Sequence, residues 1–292
     1  MISSLLACAS PGPLLEAPLL IEQLDLGSRS TGESALIVGP DGTSVLIDVG
    51  NDAHDDEVRA ALELRTGRDS PDYTLITHFH ADHVGGLSDL GDFGALIWRG
   101  GVQPDTDEWV EPDDEIALCT SAGCDLPFVL DLGDEATLEV LVAGGVLPDG
   151  TTIEITEENA RSLVGVVRYG DFAYLFAGDL TGGGKDTEDV ESFLANRIAL
   201  PDVDVAHISH HGIASSTNSA WVDAVFPDDG HIRHGIVGAN RAYLSAPDEE
   251  VLERLGPRVE QIWVTTPGSL ADPHPRCTNV DGSIGVHVDI DG

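Results

Sequence analysis

A run of closely spaced metal-ligand side chains constrains this chain more than any other feature of its sequence. Residues 78 to 83 read His78-Phe79-His80-Ala81-Asp82-His83, and they follow an apolar stretch, Tyr73 to Thr77, that predicts a short buried strand. Four imidazole or carboxylate groups within six residues cannot all be core residues, because each buried group would need a polar partner. On a loop after a strand, His78 and His80 can face one cation while Asp82 and His83 face another. The run therefore predicts a site for divalent ions such as Zn or Mn.

The length and composition favour one large domain. The chain has 292 residues and is 41% hydrophobic, which is enough for an extensive core. No Ser-, Pro- or Gly-rich linker interrupts the middle of the sequence. We therefore expect a single domain over 19–292, preceded by an N-terminal tail over 1–18.

The charge of the chain is strongly negative. It has 52 acidic residues against 14 basic ones, and the formal net charge is -38. The acidic residues are scattered through every segment, which indicates a solvated acidic surface. Such a surface repels polyanions, and no stripe of Lys and Arg interleaved with aromatic residues is present. Nucleic acid is therefore disfavoured as a partner, although it is not excluded, and a small-molecule substrate is favoured.

The N-terminus and the cysteines bear on the cellular compartment. Leu5-Leu6-Ala7-Cys8 resembles a bacterial lipoprotein cleavage box with Cys8 at the lipidated position, although the preceding stretch is short and uncharged. Cys119 and Cys124 flank a small polar loop and form either a local disulfide or two free thiols. No apolar run approaches the ~20 residues that span a bilayer. We expect a secreted or cell-envelope protein, with the cytoplasm of a salt-adapted organism as the alternative.

Strand and helix patterns alternate along both halves of the chain, which predicts an α/β (α+β) fold. In the first half, two β-type runs joined at Asp41-Gly42 predict a hairpin, and the helical spacing over Asp55 to Thr66 ends at Gly67. Residues from about Gln103 to Phe128 predict an irregular acidic insertion. The second half predicts strands over Leu138 to Val142, Leu163 to Tyr169, Phe172 to Ala177, Val203 to Ile208, Ile236 to Gly238, Ile262 to Thr265 and Ser283 to Asp289, and helices over Asp186 to Asn196 and Pro247 to Leu255. If the sheets of the two halves pack together and helices flank both of them, the fold has four layers.

The histidine run and three further segments resemble the metallo-β-lactamase superfamily. His-x-His-x-Asp-His after a strand is the motif of that family. Leu46 to Gly50 is similar to its early strand, whose aspartate, here Asp48, orients the histidine loop. Leu175 to Asp179 resembles the strand whose carboxylate, here Asp179, bridges two metals, and Ile208 to Gly212 resembles the late histidine motif. The resemblance implies a four-layer αββα sandwich and two divalent metal ions.

Later segments are similar to one branch of the family, the catalytic domain of ComEC-type competence proteins. They are Asn159 to Val164, Ser209-His210-His211-Gly212, Val237 to Asn240 followed by Tyr243 and Pro247, Trp263 to Thr266, and Asp281 to Ile284. ComEC-type proteins also have transmembrane helices for DNA uptake. The resemblance implies a stand-alone form of the catalytic domain.

Two positions depart from the family pattern. Asn159 stands nearest to the place where many members have a third histidine on the first metal, as an asparagine does in the ComEC branch. An amide oxygen is a weaker ligand and favours a harder ion such as Mn. Ala246 stands where the ComEC branch usually has a histidine before the proline of the late helix, and this bears on substrate handling.

The resemblance assigns residues to both metals. His78, His80 and Asp179, with Asn159, would hold metal one, and Asp82, His83, Asp179 and one late histidine would hold metal two. We expect His211 to be that ligand and His210 to face the substrate, and the pattern leaves the reverse assignment open.

The functional hypothesis is a metal-dependent hydrolase that uses a metal-bound hydroxide, acting on phosphodiester bonds as the ComEC resemblance implies. Asp82 would orient the nucleophile, and His210 would stabilise developing charge or protonate the leaving group. One alternative is a lactone, lactam or thioester hydrolase in the same site, which the acidic surface favours. The other is a non-catalytic domain that keeps the metal for stability, which the changes at Asn159 and Ala246 motivate.

Overall fold

The structure is a computed structural model that describes the main chain of residues 2–7 and residues 18–27, 30–101, 109–110, 112–239, 246–265, 277–280 and 282–289. Several positions used in the sequence predictions lie outside these ranges: Cys8, Asn240, Tyr243, Thr266 and Asp281. No helix within the described ranges is long and apolar enough to cross a membrane.

The described strands form two mixed sheets. The first has the order β1-β17-β2-β3-β4-β5-β6-β7-β8. Its strands are β1 (Ile2–Ala7), β2 (Leu19–Gln23), β3 (Ala35–Val38), β4 (Ser44–Ile47), β5 (Tyr73–Leu75), β6 (Ala95–Gly100), β7 (Glu115–Thr120), β8 (Gly123–Cys124) and β17 (Ile284–Val288). The first strand lies in the segment 1–18 that was predicted as a tail, and it pairs antiparallel with the last.

The second sheet has the order β16-β15-β14-β13-β12-β11-β10-β9. Its strands are β9 (Phe128–Asp131), β10 (Thr137–Val142), β11 (Val164–Tyr169), β12 (Phe172–Phe176), β13 (Val205–His207), β14 (His234–Val237), β15 (Gln261–Val264) and β16 (Cys277–Asn279). The helices are α1 (Asp55–Thr66), α2 (Ala81–Val84), α3 (Leu87–Leu90), α4 (Val190–Ala195), α5 (Ser219–Val225) and α6 (Glu249–Leu255).

Three hydrophobic cores define the layers. Because successive side chains of a strand point to opposite faces, Leu36 packs in the core shared with α1 and α3, whereas Ile37 packs in the core between the sheets. In the second sheet, Val167 faces the first sheet, and Val166 faces the core that contains α4, α5 and α6. The predicted four-layer αββα architecture is therefore confirmed.

Most predicted elements are present, with shifted ends. The helix over Asp55–Thr66 ends as predicted at Gly67, which adopts the left-handed conformation (φ 71°). The helix predicted from Asp186 begins at Val190, because the Asp189 side chain caps it by accepting a hydrogen bond from Ser192 N. The helix predicted from Pro247 begins at Glu249.

The prediction of an irregular insertion over 103–128 is partly wrong, because this range contains two paired strands. β7 pairs parallel with β6, and it turns back into β8. Cys119 and Cys124 face each other across this turn and form a disulfide, with sulfur atoms 2.02 Å apart. The alternation along β7 is weak because only Leu118 is fully buried, so the sequence pattern did not reveal the strand.

Parallel pairing places the polar segments of the predicted site at one edge of the molecule. β4 and β5 are parallel neighbours in the first sheet, and β12, β13 and β14 are parallel neighbours in the second. The carboxyl ends of parallel strands meet at the same edge of a sheet, where α/β proteins usually bind ligands. Asp48, the histidine run, Asp179, and His210 with His211 each follow one of these strands.

Candidate metal centre

The histidine run forms a loop and one helical turn after β5. His78 and His83 are completely buried, whereas His80 is exposed and Asp82 is partly buried. The turn α2 begins at Ala81 and returns His83 towards the inside of the molecule. The four predicted ligands are therefore split into two buried imidazoles and two side chains at the surface of the site.

Asp48 fixes the start and the end of this loop. Its carboxylate accepts hydrogen bonds from Thr77 N (2.7 Å) and Thr77 Oγ1 (2.7 Å), and it lies 2.8 Å from His83 Nδ1. With Nδ1 engaged, His83 presents Nε2 to the centre of the site. Burial raises the pKa of Asp48, although His83 and Thr77 oppose this shift. The position agrees with the orienting role that the sequence predicts for this aspartate.

Asp179 occupies the middle of the site. It follows β12 and Gly178, whose φ of 49° and close approach to Thr77 (2.6 Å from Oγ1 to an added Cβ) exclude a side chain. Asp179 Oδ1 lies 3.3 Å from His83 Nε2, and Oδ2 lies 3.7 Å from His78 Nε2. Burial raises the pKa of Asp179, but the surrounding imidazoles, His83 foremost, lower it well below its usual range.

The late histidines form a turn with unusual backbone geometry. His210 and His211 both have positive φ angles, 54° and 55°. Such strain in non-glycine residues often accompanies functional sites. His211 Nδ1 lies 2.9 Å from Gly238 O, so the ring can donate there and point Nε2 at Asp82 Oδ2, 3.4 Å away. Burial lowers the pKa of His211, but Glu33 and Asp179 outweigh it and raise the pKa to about 10.

His210 takes a more open position on the other side of Asp179. Its Nε2 lies 3.6 Å from Asp179 Oδ2 and 3.2 Å from Asn159 Nδ2, while Nδ1 lies 2.7 Å from Ser215 Oγ. The side chain is 14% exposed, against 3% for His211. Burial lowers the pKa of His210, although Asp179 opposes this shift.

Polar atoms without a hydrogen-bond partner converge on Asp179. They are His78 Nε2, His83 Nε2, His211 Nε2 and Asp179 Oδ1, all buried, and the buried Asn159 Oδ1 belongs to the side chain that contacts His210. Unpaired polar atoms are costly to bury, so several in one place indicate a ligand that satisfies them. Imidazole nitrogens with carboxylate oxygens suit Zn, Mn or Fe. The residues present therefore fit divalent cations.

Two groups of side chains have the spacing of metal sites. The ligand atoms of His78, His80 and Asp179 all lie within 4.8 Å of one another, and so do those of Glu33, His83, Asp179 and His211. Asp82 adjoins the second group through His211. The structure thus brings together all eight residues predicted for the site from distant stretches of the chain.

Glu33 is the functional-site residue that sequence reasoning missed. Its Oε1 lies 2.8 Å from His207 Nε2, and its Oε2 lies 3.8 Å from His211 Nδ1. The main chain of Glu33 also contacts the site, because Glu33 N donates a hydrogen bond to Asp82 O (3.0 Å). Glu33 lies 174 positions before His207, so no local motif could have revealed the contact.

The comparisons with known proteins agree with this architecture. A model of the family described as "Metallo-beta-lactamase superfamily" matches residues 30–231. No curated protein sequence matches the chain.

Solved structures that are similar to this chain include three that each have a sequence identity to it below 20%. One is the metallo-beta-lactamase fold protein YhfI from Bacillus subtilis (11% identity, TM-score 0.48, covering 86% of this chain and 98% of that one). Another is a diphosphatase from the PhnP family (14% identity, TM-score 0.42, covering 92% and 99%). A third is a metallo-beta-lactamase from Cronobacter sakazakii described as a HARLDQ motif mutant (19% identity, TM-score 0.41, covering 81% and 87%).

Proposed function

We propose that this chain, which belongs to the metallo-beta-lactamase superfamily, is a metal-dependent hydrolase of phosphodiester bonds. The observation that carries the proposal is the convergence of unpaired buried ligand atoms on Asp179. Divalent cations bound there would polarise the scissile group and lower the pKa of a water molecule towards ~7.

The proposed ligands fall into two sets that share Asp179. His78, His80 and Asn159 would complete the first set, and Asp82, His83 and His211 the second. The surroundings of Nε2 support the choice of His211 over His210. His211 Nε2 faces Asp82 and has no hydrogen-bond partner, whereas His210 Nε2 lies 3.2 Å from Asn159 Nδ2.

The partly exposed side chains would handle the substrate. Asp82 lies at the surface of the site, 24% exposed, and its carboxylate would orient the attacking water. His210 lies on the open side, where it would hydrogen-bond an oxygen of the scissile group or donate a proton to the leaving group. Ser215 Oγ and Asn159 Nδ2 hold the His210 ring from both sides.

The choice of a phosphodiester depends on two features. The segments around Asn159, His210 and Pro247 resemble the ComEC branch of the family. In addition, Arg99 stacks on Phe79 of the histidine loop and shares Glu158 with Arg161, in a chain that has few basic residues. Arginine is well suited to phosphate because its planar donors match phosphate oxygens.

A substrate panel with the metal-loaded enzyme tests the proposal. Bis(4-nitrophenyl) phosphate, a lactone and a chromogenic β-lactam are compared, while metal is titrated into the apo-protein and the melting temperature is followed. We expect turnover of the diester that rises with metal occupancy. Turnover of only the lactone or the lactam would contradict the phosphodiester assignment. Thermal stabilisation by metal without hydrolysis of any of the three would favour a non-catalytic domain.

A further inference from the structure

A cleft next to the metal centre has an unusual charge for this protein. It has a volume of about 400 Å³ and is lined by Arg99, Gly100, Cys119, Ala143, Gly144, Val146 and Arg161. The charged residues among them are the two arginines. Since the chain has 52 acidic and 14 basic residues, it is unusual that the described residues lining this cleft include two cations and no carboxylate.

A carboxylate outside the set of lining residues, Glu158, pairs with both arginines. Arg99 pairs with Glu158 through both terminal nitrogens, with Nη2 3.1 Å from Oε2. Arg161 Nη1 lies 3.6 Å from the same Oε2, and its Nη2 donates to Ile155 O (3.0 Å). Two guanidinium groups thus share one carboxylate, which leaves an excess of positive charge on this trio.

The same carboxylate links the cleft to the histidine loop. Glu158 Oε1 accepts a hydrogen bond from Phe79 N (2.9 Å), and Phe79 lies between His78 and His80. The Arg99 guanidinium lies 4.2 Å from the centre of the Phe79 ring. The 3-10 turn Asn159–Arg161 follows Glu158 directly, and it presents Asn159 to His210 and Arg161 to the cleft. A residue of the metal centre and a residue of the cleft are therefore two positions apart on one turn.

We propose that this cleft, the arginine cleft, binds a second phosphate group of the substrate, one that is not hydrolysed. The inference rests on the proposed function, because the reacting diester would occupy the metal centre at the same time. Arg161 is the principal contact, since its side chain is 37% exposed, whereas Arg99 is 10% exposed and is engaged with Glu158. The arginine cleft selects short substrates with a neighbouring phosphate and offsets the repulsion from the acidic surface.

The test compares two substrates that differ by one phosphate. They are the 4-nitrophenyl ester of thymidine 5′-phosphate and the same ester with an added 3′-phosphate. With the metal-loaded wild-type enzyme, we expect the added phosphate to lower KM by about tenfold, the usual effect of one hydrogen bond to a charged group. In Arg161→Gln this advantage disappears, and in Arg161→Lys it is reduced because a lysine retains the charge without the planar donors.

Arg168→Gln is the matched control. Arg168 is similarly exposed (36%) and also pairs with a glutamate, Glu139, but it lies on β11 outside the arginine cleft. This variant should keep the full advantage of the 3′-phosphate. If Arg161→Gln keeps it as well, or if Arg168→Gln loses it, the cleft is not the phosphate site.

A binding measurement separates this inference from the proposed hydrolysis. Calorimetry compares thymidine 5′-phosphate with thymidine 3′,5′-bisphosphate, neither of which carries the nitrophenyl ester. Tighter binding of the bisphosphate by wild type, lost in Arg161→Gln, would support the arginine cleft even if no diester is hydrolysed. Equal affinities of wild type for the two nucleotides, or no binding of either, would overturn it.

Discussion

The two halves of the molecule hold their parts of the candidate metal centre by different means. In the first half, the buried carboxylate of Asp48 pairs with an imidazole that itself faces the site, His83, and with Thr77. In the second half, the buried carboxylate of Glu191 accepts hydrogen bonds from main-chain amides, Thr217 N (2.6 Å) and Asn218 N (2.7 Å). The Asp48 carboxylate therefore orients a proposed ligand directly, whereas the carboxyl group of Glu191 fixes the chain that follows the late histidines.

Because of this difference, we expect substitution of Asp48 and of Glu191 to change different properties of the protein. Removing Asp48 should change metal binding, because His83 loses the partner that sets its tautomer. Removing Glu191 should change the stability of the fold, because two amides lose a buried acceptor. Asp179 differs from both Asp48 and Glu191, since its carboxylate lies near imidazoles from both halves of the molecule.

The largest expected effect comes from Asp179→Asn. Because both proposed ligand sets share this carboxylate, metal affinity should fall by more than about 100-fold, beyond the loss of an outer-sphere partner. Elemental analysis after dialysis measures the bound metal. Asp171→Asn, an exposed turn carboxylate, is the control and should retain the wild-type metal content. A full metal content in Asp179→Asn would refute a shared bridging carboxylate.

The next effect distinguishes the two late histidines. Asparagine tolerates positive φ, so His210→Asn and His211→Asn remove the imidazoles with little change in backbone strain. We expect His211→Asn to lose one ion per chain. His210→Asn should keep its metal while kcat for bis(4-nitrophenyl) phosphate falls by roughly 10²- to 10⁴-fold. The opposite pattern in metal analysis and kinetics would exchange the proposed roles of the two residues.

A smaller effect tests the contrast between the two carboxylates. Asp48→Asn should weaken metal binding by about 10- to 100-fold, as loss of an outer-sphere partner does. Glu191→Gln should leave metal affinity unchanged and lower the free energy of unfolding by about 1–3 kcal/mol, because one buried amide loses its acceptor. Competition with a chromogenic chelator and urea denaturation measure the two quantities. Equal losses of metal affinity in both variants would remove the distinction between the halves.

The last effect is gradual, and per pH unit it is the smallest expected one: a pH dependence of the free energy of unfolding that comes from Glu191. Burial raises the pKa of Glu191 to about 8, even though the amides of Asn218 and Thr217 lower it. Above its unfolded value of ~4.3, the folded protein therefore holds a proton that the unfolded chain releases. The free energy of unfolding should fall as the pH rises from about 5 to 8, by at most ~1.4 kcal/mol per pH unit. Urea denaturation of wild type minus Glu191→Gln isolates this slope, and a difference that does not change with pH would contradict it.

Local patterns account for most of what could be predicted from the sequence. The histidine run, the hairpin at Asp41-Gly42 and the helix Asp55–Thr66 each depend on residues close together in the chain, and the structure has all three. The strand Leu19–Gln23 has no such local signal. All five of its residues are buried, and its Glu22 is paired with Arg65, 43 positions away (2.7 Å).

Contacts between distant segments account for what the sequence left out. Glu33 precedes β3, and it joins the site through a contact with β13 of the other sheet, where its Oε1 lies 2.8 Å from His207 Nε2. The helix Ser219–Val225 was missed because it is only two turns long, and its cap, Asn218, resembles a loop residue. The sequence pattern could not assign different roles to His210 and His211, since their surroundings depend on distant residues: Gly238 O for His211, and Asn159 for His210.

The most direct test of the central claim is anomalous X-ray diffraction from crystals of the metal-loaded protein. We predict two peaks about 3.5–4 Å apart, with the Asp179 carboxylate between them. One peak should adjoin His78 and His80, and the other should adjoin Asp82, His83 and His211. Crystals with full metal content whose anomalous peaks lie away from Asp179 would contradict the account.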